Sequence, residues 1–580
     1  MKKLLVFLKD YKKECILSPL FKMLEASFEL FVPIVMASLI DNGIAHGDRN
    51  LIYRECIILI ALGLIGLICS VTAQFFAAKA AVCFATNLRH SLFEHLMGLS
   101  FTEIDTLGTS TMITRMTSDV NQAQTGVNMF LRLFLRSPFV VFGAMIMAFT
   151  INVKAALVFV FSIIGLSLIV FGIMAFNIPM LKKVQSKLDG VLLSTRENLT
   201  GVRVIRAFCK EEEEINAFEG KNNALLREQK KSSSLSALMN PLTYVLINIA
   251  IAVLIYIGAI EVSSGILTQG AVVALYNYMS QILVELIKLA NLIITINKSL
   301  ASGNRIAEVF TIESSMKESK ERNDTAFDDY KETEDILTFQ NVSLTYAGGG
   351  EEALSNISFS IKKGQTVGII GGTGCGKSSL VHLIPRFYDA TKGDVLIKGV
   401  NVKDIETSQL RDMIGMVMQK AVLFHGTIQE NLRWGKEDAT QAECMEAVSI
   451  AQAGEVVEKK GGLDARIEQS GRNLSGGQKQ RLSIARALVK KPEILILDDS
   501  SSALDFATDA ALRKEIRSLT YQPTVILVSQ RTSSIQYADM ILVLDDGELV
   551  GMGTHEELLN TCEVYREIYD SQFKREVAAK

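Results

Sequence analysis

Several common sequence features are missing from this chain of 580 residues. The eight cysteines form no CxxC pair and no metal-ligand spacing, which argues against a cysteine metal site and favours reduced thiols in a protein that faces the cytosol. The formal net charge is only −3, so no excess of positive charge indicates a nucleic-acid partner. No short-period repeat is present, and no small-residue cleavage site follows the basic N-terminus MKKLLVFLKDYKKE. That segment is therefore predicted to be an amphipathic helix at the cytosolic membrane surface rather than a removed signal peptide.

Apolar residues, by contrast, are abundant and lie mostly before residue 300. They make up 49% of the chain, and the mean hydropathy of +0.26 is too high for an ordinary soluble enzyme. A chain of this length also exceeds what one hydrophobic core supports, so two or more domains are expected. Six apolar stretches are long enough to cross a hydrocarbon core of about 30 Å, which takes ~20 helical residues. These predicted spans are Ile16–Ile40, Cys56–Ala78, Arg132–Asn152, Ala155–Ile178, Leu242–Glu261 and Ala271–Ile296.

The connections between the spans differ in length and charge. Three short connections carry few positive charges, whereas two long ones, at about 80–130 and 180–240, are rich in lysine and arginine. The positive-inside rule places both long connections in the cytosol, and an even number of spans places both termini there as well. The sequence therefore predicts a multi-pass protein of the cell membrane, in contact with the lipid bilayer. The long connections are predicted to continue the spans as helices beyond the membrane.

After Phe310 the pattern changes. A hydrophilic stretch of mixed charge has the composition of a linker. Beyond it, β-rich runs such as TVGII, ILILDD, TVILVS and MILVLDDG alternate with helical segments, which is typical of an α/β domain around a largely parallel sheet. We therefore predict a multi-pass α-helical membrane domain at 1–312, a linker at 313–335 and an α/β domain at 336–580.

A phosphate-binding loop opens the α/β domain. The sequence GGTGCGKS directly follows the strand Thr366–Ile370 and fits GxxxxGK[ST], in which backbone N–H groups surround the phosphates of a nucleotide. Lys377 is expected to reach the β- and γ-phosphates and Ser378 to ligate Mg²⁺. Downstream, an apolar strand ends in Asp498, a carboxylate suited to hold Mg²⁺ through water. The loop residues predicted to bind ATP are Gly371, Gly372, Thr373, Gly374, Cys375, Gly376, Lys377, Ser378 and Ser379.

A third motif, Asn473-Leu-Ser-Gly-Gly-Gln478, lies between these two elements, just before a predicted helix. It resembles the signature of ABC ATPases, and the chain as a whole resembles an ABC exporter half-transporter of the type IV fold. In that family two ATPase domains stack head to tail, so that each ATP lies between one domain's phosphate loop and the other's signature. The resemblance implies that Tyr346 stacks on adenine and that Gln419 senses Mg²⁺, which Ser378, Gln419 and Asp498 would hold. Residues expected to act across the dimer interface are Ser475, Gly476, Gly477, Gln478 and Asp505.

Two positions depart from the family pattern at the hydrolytic chemistry. The residue after Asp498 is normally glutamate, but here it is Asp499, whose carboxylate is drawn back by roughly 1.3–1.5 Å from the attacking water. The switch histidine is replaced by Gln530, which cannot offer the proton chemistry of an imidazole. The combination resembles the degenerate-site chain of heterodimeric bacterial multidrug exporters. It implies a non-identical second half-transporter that supplies the glutamate and the histidine, and an isolated chain that is nearly inactive.

Carboxylates inside the predicted spans are candidates for substrate contacts. Glu25 and Glu29 lie four residues apart on one face of the first span, and Glu285 lies in the sixth. One interpretation is a cavity that attracts cationic amphiphiles. The favoured alternative is that Glu285 pairs with Lys288 along its own helix and that the first-span carboxylates lie near the lipid headgroups.

The function predicted from the sequence is therefore ATP-driven export of amphipathic drugs or lipids by alternating access. A lipid or peptide exporter, and a sensor or gated pore that binds ATP without pumping, remain as alternatives. The six spans exclude a soluble ATPase.

Overall fold

The structure is a computed structural model that describes residues 2–316, 327, 330–331, 334–500 and 502–578. The chain forms two compact units. The first comprises Met1–Met97 and Ser110–Ile312, and the second comprises Gly98–Thr109 and Glu313–Lys580. A short segment of the first long connection thus belongs to the second unit, an assignment that its local sequence did not indicate. Most of the predicted linker, 313–335, lies outside the described residues.

Long helices make up the first unit. A 3₁₀ helix at Lys2–Tyr11 precedes them, and its Phe7 ring lies 6.2 Å from the Phe310 ring. The first eleven α-helices of the chain, of which α3 belongs to the second unit, are α1 (Lys12–Ser38), α2 (Arg49–Met97), α3 (Phe101–Leu107), α4 (Thr109–Thr114), α5 (Val120–Leu133), α6 (Arg136–Ile151), α7 (Val153–Thr200), α8 (Val202–Ala207), α9 (Glu211–Ala237), α10 (Met239–Ser263) and α11 (Gln269–Val309).

The six predicted spans are confirmed. Within the described residues, six helical segments are long and apolar enough to cross a membrane, and each contains one predicted span to within a residue. They are Leu4–Ile44, Arg49–Met97, Thr109–Ile151, Val153–Thr200, Glu211–Ser263 and Gln269–Val309. Several far exceed ~20 residues: α2 has 49 residues, a length of roughly 70 Å. The helices therefore continue through the charged connections, as the sequence predicted.

Packing inside the first unit brings α1, α6, α7, α10 and α11 around one hydrophobic cluster. Leu30, Phe159, Leu254 and Met279 are buried in it. Tyr278 is fully buried there as well, and its hydroxyl donates a 2.6 Å hydrogen bond to the carbonyl of Leu30. The carbonyl group of Leu30 in α1 thus accepts a hydrogen bond from a side chain of α11, and this bond holds the two helices together.

The second unit contains two main sheets. Its strands are β1 (Asp335–Leu344), β2 (Leu354–Lys362), β3 (Thr366–Gly371), β4 (Lys392–Ile397), β5 (Val400–Asn401), β6 (Ile414–Val417), β7 (Gly426–Thr427), β8 (Arg466–Ile467), β9 (Ile494–Asp498), β10 (Thr524–Val528), β11 (Met540–Asp545) and β12 (Glu548–Gly553). Its remaining helices are α12 (Lys377–Leu383), α13 (Thr407–Asp412), α14 (Ile428–Arg433), α15 (Gln441–Ile450), α16 (Gly454–Lys460), α17 (Gly476–Val489), α18 (Phe506–Arg517), α19 (Thr532–Ile535), α20 (His555–Thr561) and α21 (Glu563–Ala578).

The larger sheet has the order β12-β11-β3-β10-β9-β6 and is parallel except for β12. The predicted α/β domain with a largely parallel sheet is therefore confirmed. Strands β2, β1, β4 and β5 form a separate antiparallel sheet, which the sequence did not predict. One hydrophobic cluster lies between β1, β2, β4, β3 and α12, and a second lies around α15, α17 and β9.

Candidate functional site

Four neighbouring strands bring the predicted nucleotide residues to one edge of the parallel sheet. In the order β3, β10, β9 and β6, the strands pair directly and run in the same direction. The carboxyl ends of parallel strands meet at one edge, where ligands of open α/β sheets bind. The phosphate loop follows β3, Gln530 follows β10, Asp499 follows β9 and Gln419 follows β6. The topology thus collects residues that lie up to 159 positions apart (371 to 530) in the sequence.

The phosphate loop is tightly constrained. Gly376 has a φ of +92°, and a β-carbon there would lie 2.7 Å from the carbonyl oxygen of Ala353. A β-carbon on Gly371 would lie 2.1 Å from the Leu544 carbonyl oxygen. Only glycine fits these positions, which explains their place in the motif. The Lys377 ammonium is held inside the loop, where it donates to the carbonyls of Gly371 (3.0 Å) and Gly372 (2.5 Å).

The remaining loop residues divide by exposure. Thr373 and Gly374 are exposed, whereas the Cys375 side chain is buried in the hydrophobic cluster below the loop. Cys375 can therefore offer a nucleotide its backbone N–H but not its thiol. Ser379 lies one residue beyond the magnesium candidate Ser378, and its hydroxyl oxygen accepts a 2.9 Å hydrogen bond from the Tyr346 hydroxyl.

The candidate magnesium residues lie together. The Ser378 hydroxyl donates to Asp498 Oδ1 at 3.1 Å, and Gln419 Nε2 donates to Asp499 Oδ2 at 3.4 Å. A hydroxyl, a carboxylate and an amide oxygen are hard oxygen donors of the kind that Mg²⁺ prefers. The set fits Mg²⁺ carried with nucleotide phosphates, which would supply further oxygen ligands. Among the described residues, no cluster of three or more His, Cys, Asp or Glu side chains forms a separate metal site.

The two adjacent carboxylates lie in a poorly solvated place. Burial raises the pKa of Asp498, and the neighbouring charge of Asp499 raises it further. Burial likewise raises the pKa of Asp499, although the hydrogen bond from Gln419 and the Lys377 charge oppose the shift. A cation that binds at this edge of the sheet would therefore be stabilised by the carboxylates of Asp498 and Asp499.

His382 is a neighbour of Asp498 that the sequence analysis overlooked. Its Nε2 lies 3.8 Å from Asp498 Oδ2 and has no hydrogen-bond partner among the described residues. Burial lowers the pKa of His382, which favours the neutral ring. The signal was present in the sequence, because His382 lies four residues after Ser378 and so on the same face of α12.

Tyr346 contacts a second aromatic residue besides Ser379. Its ring meets the Tyr388 ring edge-on at 5.1 Å. The Tyr388 hydroxyl in turn donates a 2.6 Å hydrogen bond to Asp105, and burial together with that carboxylate raises the pKa of Tyr388. Asp105 lies on α3, whose Phe101 packs against Phe387 with ring centroids 4.7 Å apart. Tyr346, the predicted adenine-stacking residue, is thus connected to α3 through Tyr388. No local sequence pattern indicates this connection.

The signature residues lie elsewhere in the same unit. Ser475 caps α17: its hydroxyl oxygen accepts from the Gln478 N–H at 3.3 Å, and Gln478 Oε1 accepts from the Ser475 N–H at 2.9 Å. A β-carbon on Gly477 would lie 2.9 Å from the Ala503 carbonyl oxygen. Ser475 and Gly476 are exposed. Within the described part of the chain, no hydrogen bond or ion pair joins these residues to the phosphate loop.

Asp505 and Gln530 have separate surroundings. Asp505 caps α18 by accepting from the Thr508 N–H at 2.8 Å, and this hydrogen bond lowers its pKa. Gln530 is exposed, and its carbonyl oxygen accepts from Gln572 Nε2 at 2.7 Å. Its side chain is therefore accessible at the sheet edge, one strand away from Asp499.

The intramembrane carboxylates meet around an arginine that the sequence analysis did not single out. Arg136, from α6, contacts Glu285 at 2.5 Å, Glu29 at 2.7 Å and Glu25 at 4.0 Å. The Ser137 hydroxyl donates a 2.9 Å hydrogen bond to Glu285. The predicted pair between Glu285 and Lys288 is present at 2.8 Å, but it is only one part of this network.

Residues 15–286 match a family described as the ABC transporter transmembrane region, and residues 354–502 match a family described as ABC transporter. An ABC transporter ATP-binding protein of Bacillus subtilis, YfiB, is 36% identical over 99% of both chains. The putative multidrug export ATP-binding/permease protein YgaD of Bacillus subtilis is 32% identical, covering 99% of this chain and 98% of its own.

More distant proteins cover the chain equally well. The ATP-dependent lipid A-core flippase of Haemophilus ducreyi is 28% identical over 99% of this chain and 98% of its own. A solved structure of a bacterial Atm1-family ABC exporter with ATP bound superposes with a TM-score of 0.79. It covers 97% of this chain and 98% of its own at 23% identity, so the likeness is one of fold.

Proposed function

Because the chain belongs to the ABC transporter family, we propose that it is one subunit of a heterodimeric, ATP-driven exporter of amphipathic compounds. The observation that carries the proposal is the composition of the sheet edge. An intact phosphate loop and Asp498 lie beside two altered catalytic positions, Asp499 and Gln530, while the signature at Ser475 is intact and exposed. A site of this kind binds ATP well and hydrolyses it poorly.

The residues of this chain have distinct parts in binding. The N–H groups of the phosphate loop and the N-terminus of α12 bind the phosphates. When ATP binds, the Lys377 ammonium donates to phosphate oxygens instead of to the carbonyls of Gly371 and Gly372. Ser378 and Asp498 hold Mg²⁺, which neutralises phosphate charge when bound. Tyr346 offers its ring to the adenine.

Poor hydrolysis follows from the two altered positions. Proton transfer from an attacking water needs a base within about 2.6–3.2 Å, and the aspartate side chain is one methylene shorter than the usual glutamate. Asp499 also accepts a hydrogen bond from Gln419, which holds its carboxylate toward β6. Gln530 can donate a hydrogen bond to a phosphate but cannot shuttle a proton.

The exposed signature supplies the reason for a partner. Ser475, Gly476 and the N-terminus of α17 are solvated in this chain and have the donor groups that bind an anion. A non-identical half-transporter that carries the missing glutamate and histidine would place its own ATP against them. Hydrolysis at that composite site would then reset the alternating-access cycle, with both termini of this chain in the cytosol of a bacterial cell.

The proposed substrates are amphipathic drugs or lipids. Names of relatives include both a putative multidrug exporter and a lipid A-core flippase, so drugs and lipids are both represented. An ATP-gated pore is the alternative from another class. Uptake of a fluorescent amphiphile into inverted vesicles against its gradient separates the two, because a pore only dissipates a gradient.

The proposal predicts that the chain purified alone binds MgATP but turns it over slowly, well below about 1 s⁻¹, the low end of ordinary enzymes. Fluorescent nucleotide binding and phosphate release would be measured on one preparation. Lys377→Ala is the matched control and should lose binding. Robust turnover by the isolated chain would show that Asp499 and Gln530 do not impair the site.

A further inference from the structure

A cavity of about 480 Å³ lies in the first unit between α1, α6 and α11. Its apolar wall includes Val32, Met36 and Val284, and its polar wall includes Glu29, Gln281 and Lys288. It is large enough for the head group and the first carbons of an amphiphile. We refer to it as the α1/α6/α11 cavity.

The charges around this cavity cancel. Three carboxylates, of Glu25, Glu29 and Glu285, meet three cations, of Lys22, Arg136 and Lys288. A carboxylate cluster alone would favour a cation, as the sequence analysis considered. With the arginine and the lysines included, the site has no net charge, and a ligand of one sign has no overall electrostatic advantage.

The two outer members of this ion-pair network, Glu29 and Lys288, are nevertheless accessible to solvent. The side chains of Arg136 and Glu285 are 7% and 4% exposed, whereas those of Glu29 and Lys288 are 42% and 43% exposed. Glu29 accepts from Arg136 through Oε2, and a carboxylate has room for further donors on its other oxygen. Lys288 donates one of its three N–H bonds to Glu285. The cavity therefore presents one available anion and one available cation.

A buried acceptor adds a third contact point. The side chain of Gln281 lines the cavity, and its Oε1 is almost completely buried and has no hydrogen-bond partner among the described residues. Buried acceptors are normally satisfied, so a donor from a ligand would be stabilised there. An ammonium that still carries N–H bonds meets this requirement, whereas a quaternary ammonium does not.

We propose that the α1/α6/α11 cavity binds zwitterionic amphiphiles whose head group joins a primary ammonium to a phosphate. The ammonium pairs with Glu29 and Gln281, the phosphate pairs with Lys288, and the alkyl chain lies along Val32 and Met36. This assignment rests on the exporter function proposed above and narrows its substrate class. A membrane lipid and a free amphiphile share this chemistry.

The test uses four probes with the same dodecyl chain: dodecylphosphoethanolamine, dodecylphosphocholine, dodecylamine and dodecyl phosphate. Calorimetry on the full chain in phosphatidylglycerol nanodiscs, with empty nanodiscs subtracted, should show that the phosphoethanolamine probe binds about tenfold tighter than either probe whose head group has charge of only one sign. It should also bind tighter than the phosphocholine probe. Two-chain phosphatidylethanolamine added to the nanodiscs competes if a membrane lipid is the natural ligand, and fails to compete if the cavity admits only the single-chain form.

Two variants assign the contacts. Glu29→Gln should remove the preference over dodecyl phosphate, and Lys288→Gln should remove the preference over dodecylamine, each with about a tenfold loss for the zwitterion. The buried Arg136–Glu285 pair remains in both variants, so both are expected to fold. Glu228→Gln and Lys154→Gln remove a partly exposed and an exposed charge of the same unit that do not line the cavity, and they should leave the binding preferences unchanged.

Equal affinity for all four probes, or unchanged preferences in both cavity variants, would overturn the zwitterion assignment. Vesicle transport by the two-chain complex keeps this outcome distinct from failure of the proposed function. ATP-driven uptake of the dodecylamine probe in preference to the zwitterion would refute the assignment and leave the exporter intact. Selective zwitterion binding without any uptake would support the assignment and refute the exporter.

Discussion

Ser475→Arg in the proposed heterodimer is expected to lower ATP turnover by about 10²-fold or more. Loss of a single donor that stabilises developing charge typically costs about 10²–10³-fold, and arginine would also fill the space in front of α17. The substitution removes the cap that Ser475 forms with Gln478, at a cost of about 0.5–2 kcal/mol. Phosphate release by the purified two-chain complex is the measurement.

Asp499→Asn provides the comparison within the same complex. The carboxylate is already too short for its task, so turnover should change only severalfold, whereas loss of a working general base typically costs ~10²–10⁴-fold. Thermal unfolding of both variants shows whether the complex is intact. If Asp499→Asn abolishes turnover while Ser475→Arg spares it, the assignment of sites to chains is reversed.

The candidate nucleotide residues could be proposed from the sequence because each motif has a local cause. Gly371 and Gly376 are required by backbone approaches that a β-carbon would block, and an apolar strand must precede the loop. The six spans were predictable for an equally local reason, since length and hydropathy alone determine them. The meeting of Gln419, Asp499 and Gln530 followed from the family resemblance, and strand order provides its physical basis.

Other features depend on contacts that no local pattern contains. The segment Gly98–Thr109 belongs to the second unit, where Phe101 and Asp105 contact residues almost 300 positions later in the sequence. The antiparallel sheet around β1 was missed although β2 alternates apolar and polar residues, because no local pattern shows that β2 and β4 pair with β1. The pairing of Glu285 with Arg136, 149 residues earlier, was missed because Lys288 already offered a local partner.

Arg136→Met is expected to produce a large loss of stability in the first unit. Arg136 is the cation shared by Glu285, Glu29 and Glu25, and both Arg136 and Glu285 are buried. Removing one partner of a buried ion pair costs about 3–5 kcal/mol. Because Glu285 keeps Lys288 and Ser137, we expect the lower end of that range. The readout is the thermal unfolding midpoint of the full chain in lipid nanodiscs, which should fall by on the order of 5–10 °C.

Two further variants separate lost charge pairing from lost packing. Arg132→Met removes a partly buried arginine one turn earlier that forms no ion pair among the described residues, so it should be milder. The double variant Arg136→Met with Glu285→Gln removes both charges, and it should be more stable than Arg136→Met alone, because the uncompensated carboxylate causes most of the loss. A midpoint for Arg136→Met equal to that of the parent chain would mean that the network contributes no stability. A double variant no better than the single one would assign the loss to packing of the arginine side chain, since the carboxylate would then be tolerated without its cation.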